Sequence, residues 1–299
     1  MPDATDNHMT VPTAKHFIII RFFPRQNLNY LYNVLHVGFL KKQAALAVNN
    51  SLRSLENQTN KDFEVIFLLN GRLFVDENYK FVFDTLRGGI SVPVHFPQNY
   101  NSFIKDAYDK YDFVIQSKMD LDDFLHKDAV ADTQSKIGEC ENVLIYGYCK
   151  GYLYLADKNV FLDRYSKDYS YTKGTLSHIY YSSRGIGHLG ILQSFICKSS
   201  FAKTLPTMGP YAFIHHKAKL KFQAFLEKNG VAFSESMFQQ NTTMNAFIYF
   251  RHEFSHFILA HEGAADTWIE DRDEVTTEEI TKKQLEDEFG FFYELNSIE

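Results

Sequence analysis

Read only for hydrophobic and polar positions, the first 130 residues alternate between two patterns. Short apolar runs of strand length recur: "HFIIIRFF" (16–23), "DFEVIFLLNG" (62–71), "ISVPVHFP" (90–97) and "DFVIQSKM" (112–119). Between them lie stretches with apolar residues at helical spacing. One is "KKQAALAVNNSLRSLENQT" (41–59), with Ala44, Leu46, Ala47, Leu52 and Leu55, and another is "NSFIKDAYDKY" (101–111). Asn70-Gly71 stops the second strand. Strand, helix, strand in repetition predicts a parallel sheet covered by helices.

The pattern then changes. "NVLIYGYCKGYLYLAD" (142–157) reads as a hairpin turning near Lys150-Gly151, followed by Tyr- and Ser-rich connections, among them Tyr180 and Tyr181. "HHKAKLKFQAFLEKNG" (215–230) is helical and "NAFIYFRH" (245–252) is a strand. No internal repeat or low-complexity linker is present.

Composition narrows the class. With 299 residues, 45% hydrophobic and 16% aromatic, the chain can bury a large core. Its apolar runs, such as Phe17–Ile20 and Val65–Leu69, fall far short of the roughly 20 residues of a membrane span. The opening "MPDATDNHMT" has neither the basic nor the apolar region of a signal peptide, so a cytoplasmic location is expected. Cys140, Cys149 and Cys197 are odd in number and widely spaced, which argues against a disulfide framework or a cysteine zinc site. The net charge of −6 is uneven: 266–299 holds twelve acidic residues against Arg272, Lys282 and Lys283, leaving +3 for the body. That body charge suits an anionic ligand or an anionic membrane surface and is too weak for nucleic acid. In the tail, Thr276 and Glu279 form a capping box that predicts a solvated C-terminal helix.

The chemistry concentrates in "FVIQSKMDLDDFL" (113–125), where an apolar run ends in Asp120, Asp122 and Asp123. Three clustered carboxylates repel one another and call for a cation to face. A DxD triplet is weak evidence by itself, and Asp271-Arg272-Asp273 is a second one. The first differs in standing at the end of a predicted central strand with Lys118 just before it. Capping the next helix needs one acid and not three, and ligands of open α/β sheets bind beyond the carboxyl ends of strands.

In "SLRSLENQTNKDFEVIFLLNG" and "DAYDKYDFVIQSKMDLDDFLHKDAV" the chain resembles nucleotide-sugar-dependent glycosyltransferases of the GT-A fold. The likeness is to family-2-like enzymes and the rhamnosyltransferase-like group, and it covers most of 15–130. It implies an α/β fold with a GT-A type Rossmann-like central sheet, a mixed acceptor-side region and a C-terminal acidic helix. The implied organisation is a disordered 1–14, a nucleotide-sugar-binding half 15–130, an acceptor-binding half 131–265 and an acidic helical tail 266–299. The implied activity is transfer of a sugar, with inversion, from a nucleoside diphosphate sugar to a hydroxyl of a surface polysaccharide or glycolipid, at the inner face of a membrane. Mn²⁺ or Mg²⁺ is the implied cofactor, held by Asp122 and Asp123, with Asp120 and Lys118 on the donor. Arg21 and Asn70, at the ends of the first two strands, are further donor-binding candidates. The second strand ends in Asn70-Gly71-Arg72 where these enzymes usually carry acids, so the base is unreadable. Glu235, Glu262 and His252 are the candidate catalytic bases, with His256 as a further metal ligand.

A rival motif is His252-Glu253-Phe254-Ser255-His256, a formal HExxH. On a helix it places two imidazoles on one face for zinc, with the glutamate set to activate water, as in zinc metalloproteases. A catalytic zinc needs a third protein ligand. Leu259 and Glu262 stand where the metzincin extension has glycine and histidine, and "NAFIYFRH" reads as a strand rather than the start of such a helix.

Overall fold

A computed structural model of the chain describes residues 12–22, 37–69, 71–75, 77–156, 174–180, 193–205, 218–251 and 282–291. The parallel half follows the sequence pattern. Strand β1 (Ala14–Arg21) leads to helix α1 (Val37–Ala47), a π-helical turn (Val48–Leu52) and the short α2 (Arg53–Glu56). Then come β2 (Glu64–Leu68), α3 (Lys80–Gly88), β3 (Val94–His95), α4 (Tyr100–Tyr108) and β4 (Phe113–Met119). β5 (Phe124–Leu125) and α5 (Ala129–Ser135) follow, then β6 (Val143–Ala156), β7 (Gly174–Tyr180), β8 (Gln193–Lys198) and α6 (Ser199–Ala202). The last elements are α7 (Ala218–Lys228), β9 (Phe238–Arg251) and α8 (Lys282–Phe289).

The strands form one mixed sheet in the order β3-β2-β1-β4-β8-β6-β9-β5, with β7 paired to β6 off that path. β1 to β4 are mutually parallel, β8 is antiparallel to both β4 and β6, and β9 runs parallel to β6. This is the α/β architecture expected from the sequence, a Rossmann-like central sheet of GT-A type. Every residue of β4 is buried, as a strand covered on both faces requires. One core lies under α1, α3 and α5 and includes Ile18, Ile20, Ile115 and Met119. The other lies under α4 and α7 and includes Phe17, Ile19, Val114 and Phe222. No helix among the described residues is long and apolar enough to cross a membrane.

Two expectations are corrected. Residues 143–156 are one continuous strand and not a hairpin. Gly151 serves close approach instead of a turn: a Cβ there would sit 2.3 Å from the Phe247 ring and 2.5 Å from its carbonyl oxygen. The tail helix is docked and not solvated, for Leu285, Phe289 and Phe291 are buried while Lys283, Gln284 and Asp287 face out. Thr276 and Glu279 lie outside the described residues, as do Tyr181 and the DxD at 271–273.

A buried polar chain stitches three strands together. Gln134 Nε2 donates to His16 Nδ1 (3.3 Å), which leaves the ring proton on Nε2 to be donated to Ser117 Oγ (2.7 Å). Ser117 in turn shares a 2.6 Å bond with Ser194. Burial pushes the His16 pKa down to about 3, so the native ring is neutral. The unfolded chain takes up that proton near pH 6.5, so this contribution to stability is intact above 6.5 and is lost as pH falls towards 3.

Wild type should therefore lose stability relative to His16→Gln as pH falls from 7 to 4.5, by up to about 1.4 kcal/mol per pH unit, in paired urea titrations. A constant difference would contradict the assignment. Gly151→Ala should destabilise by about 1–3 kcal/mol, because the Phe247 ring and backbone must both shift. The same urea titrations check it.

Candidate functional site

The acidic residues emerge where β4 leaves the sheet. The last register pair between β1 and β4 is Ile20–Met119, so Arg21 and Asp120 are the next residues out on neighbouring strands. From β1 the chain proceeds to β2 and β3 on one side, whereas β4 adds on the other. The carboxyl ends of β1 and β4 therefore flank a topological switch point, where such sheets open a ligand crevice. Lys118, 7% exposed, belongs to the β4 face shared with Val114 and Gln116. Asp120 and Asp122 are half-buried, and Asp123 is fully buried.

The backbone of this turn is fixed from the first helical layer. The π-helical turn widens the helix and carries the buried Asn50, whose Nδ2 donates to the Asp122 carbonyl at 2.7 Å. Two helical turns on, the buried Gln58 donates to the His126 carbonyl (2.9 Å) and accepts from the Val130 amide (3.1 Å). Thr59 adds a bond from its amide to the Lys127 carbonyl (2.8 Å) and from its hydroxyl to Asp128 (2.8 Å). Between these anchors, β5 pairs with β9 and the His126 amide donates to the Ala246 carbonyl (2.8 Å).

Asn50, Ser54 and Gln58 form a buried polar stripe at spacing four, on a segment that sequence reasoning treated as ordinary amphipathic helix. That spacing is the signal by which the supporting amides could have been found, since polar residues on an apolar face need partners.

Beyond the carboxyl end of β2, Leu73, Phe74, Val75, Glu77, Lys80 and Phe83 line an open cavity of about 400 Å³. It lies on the same end of the sheet as the acidic turn.

Not every candidate reaches this end. Glu235 precedes β9, whose first residue, Phe238, pairs with Ile145 near the start of β6. β6 starts beside the β8 residues that pair with the start of β4, so Glu235 stands at the opposite end of the sheet from the acidic turn. Its carboxylate is 79% exposed and pairs with Lys219 at 2.7 Å. Asn70, His252, Glu253, His256 and Glu262 lie outside the described residues. β9 does reach Arg251 as a strand, as expected, and ends on the same side of the sheet as Asp120–Asp123.

Among the described residues, no group of three or more His, Cys, Asp or Glu converges as a ready-made metal cage. The donor set at the turn is hard carboxylate oxygen, the chemistry Mg²⁺ and Mn²⁺ prefer, with Asp120 and Asp122 half-buried and Asp123 wholly buried.

No protein-family model matches this chain, and no curated protein matches it. Among solved structures it is similar to the TarS fragment 1–349 of S. aureus, at 16% identity and a TM-score of 0.34, over 79% of this chain and 60% of that one. A second is a protein assigned as a glucose-1-phosphate thymidylyltransferase from Bacillus anthracis, in complex with a sucrose (10% identity, TM-score 0.36, 87% of this chain and 97% of that one). A third is HddC from Yersinia pseudotuberculosis (14%, 0.34, 79% and 93%). The chain spans less than two thirds of the TarS fragment. Likeness at this level carries no inference about function.

Asn50→Ala should cost about 1–3 kcal/mol in urea unfolding, since it removes a buried bond to the turn. Asn50→Asp, the same shape with an acceptor facing the Asp122 carbonyl, should cost more at pH 8. The reverse order would separate Asn50 from the turn.

Proposed function

We propose that this chain is a metal-dependent glycosyltransferase that moves a sugar from a nucleoside diphosphate sugar to a hydroxyl of a polysaccharide or glycolipid acceptor. The observation that carries the reading is Asp120, Asp122 and Asp123 at the carboxyl end of β4, beside the β1/β4 switch point, with the buried Lys118 on the strand leading to them. Clustered carboxylates there repel a bare diphosphate, so this arrangement suits that ligand only together with a cation.

In this reading Asp122 and Asp123 hold Mn²⁺ or Mg²⁺, and Asp120, Lys118 and Arg21 meet the donor. When bound, the metal neutralises charge on the departing diphosphate. The protein's own part is orientation: Asn50 and Gln58 fix the backbone that carries the carboxylates, so they need no reorganisation during transfer. In this reading the nucleotide portion enters the cavity beyond β2, whose wall includes Lys80. Direct displacement with inversion needs a base for the acceptor hydroxyl. Glu235 is at the wrong end of the sheet, which leaves His252 and Glu262, with His256 as a further contact to metal or diphosphate. A peripheral association with an anionic membrane surface fits the basic body. The zinc-protease alternative built on His252, Glu253 and His256 has no supporting observation among the described residues.

A thermal-shift panel of UDP, GDP, dTDP and CMP, with and without Mn²⁺, tests this. One nucleotide should raise the Tm only with Mn²⁺, with about 2.7 kcal/mol of stabilisation at a hundred times its Kd, and Asp122→Ala should abolish the rise. A rise that survives in Asp122→Ala, or no response to any nucleotide, overturns the proposal. Sugar transfer or donor hydrolysis by the wild type then separates an enzyme from a binding module.

A further inference from the structure

The chain that follows the acidic turn is also held by a segment distant in sequence. α8 ends at Gly290, in the left-handed region at φ +66°, where the Gly290 amide donates to the Glu286 carbonyl (2.9 Å) and the Phe291 amide to that of Leu285 (3.2 Å). This reversal drives Phe289 and Phe291 into the core, both fully buried. Their contacts are with the residues that follow the acidic cluster. The Phe291 ring meets Phe124 edge to face at 4.9 Å, and Phe289 meets His126 at 5.5 Å and Tyr152 at 5.9 Å. The main chain joins in, since the Lys127 amide donates to the Glu288 carbonyl at 2.7 Å. His126 lies between two carboxylates, Asp128 at 3.7 Å and Glu288 at 4.0 Å. Asn57 Nδ2 donates to the Asp287 carbonyl (3.3 Å), and a Cβ added at Gly290 would meet the Arg53 carbonyl at 3.4 Å, so this segment lies against the helix that carries Asn50.

We propose that Leu285–Phe291 is a positioning element of the donor site, which together with Asn50 clamps the Asp120–Asp123 turn; its role in donor binding rests on the transferase reading. Asn50 holds the turn at Asp122, and the Phe291–Phe124 and Glu288–Lys127 contacts hold the chain immediately after Asp123. With both anchors in place the carboxylates cannot relieve their repulsion by splaying the backbone. This assigns a functional role to part of the acidic tail.

The test uses the full chain with Phe289→Ala/Phe291→Ala, and Leu86→Ala, on α3, as a control from the same core. Hydrogen exchange of amides 120–126 is followed at matched distance below each Tm. The double variant should exchange there about tenfold faster than the control. Its Mn²⁺-dependent affinity for the responding nucleotide should fall about tenfold, as for loss of a group supporting metal ligands. Equal exchange in the two variants overturns the clamp, and so does faster exchange with unaltered nucleotide affinity overturn its role in donor binding. If the double variant does not fold, Asn57→Ala and Phe291→Leu are compared with the control by the same criteria. A wild type that binds no nucleotide defeats the transferase reading, and the exchange data still decide whether the segment holds the turn.

Discussion

The carboxyl end of the sheet is arranged around three acids within four positions, Asp120, Asp122 and Asp123. Carboxylates this near in sequence resist being brought together, and burying one of them, Asp123, adds a desolvation cost. Neutral groups therefore bear the work of holding the backbone. The anchors are amides and main-chain bonds: Asn50 to Asp122, Gln58 to His126 and Val130, and the His126 amide to Ala246. Such bonds keep their strength whether or not a cation is present, because neither partner is charged.

The sheet supplies the rigid frame. β4 is buried along its whole length between β1 and β8, and its two faces belong to two separate cores. A strand fixed on both faces and both edges ends in one place, so the residues after Met119 inherit a defined starting point. The π-helical turn at Val48–Leu52 brings Asn50 inward without ending the helix, a local distortion of the kind often found beside functional sites.

The parallel half was legible because its elements are local. A buried strand is a run of apolar residues and an amphipathic helix repeats at 3.6, so β1, β2, β4, α1 and α4 could all be read from neighbours in sequence. Gly151 misled for a physical reason. Glycine marks both turns and places where another group comes very close, and Phe247, the group that comes close, is nearly a hundred residues away. The tail helix misled similarly, since its many acids suggest solvent while Leu285 is buried and Phe289 and Phe291 find ring partners in the segment 124–152. Of the site, the carboxylates and Lys118 were visible as chemistry. The position of Glu235 was not, because strand register decides which end of a sheet a residue reaches, and register over β4, β8, β6 and β9 is wholly non-local.

The pairing of Phe124 with Phe291 also has a temporal side. Synthesis delivers β1 to β4 and the acidic residues in the first half of the chain, and domains begin to fold as they emerge. Phe291 arrives 168 residues later than Asp123. A growing chain can thus assemble its parallel sheet and display the three carboxylates well before the segment that packs behind them exists. The last support of this turn is therefore also the last to be made, and termination anywhere between Asp123 and Phe291 leaves a chain without the Phe124–Phe291 contact.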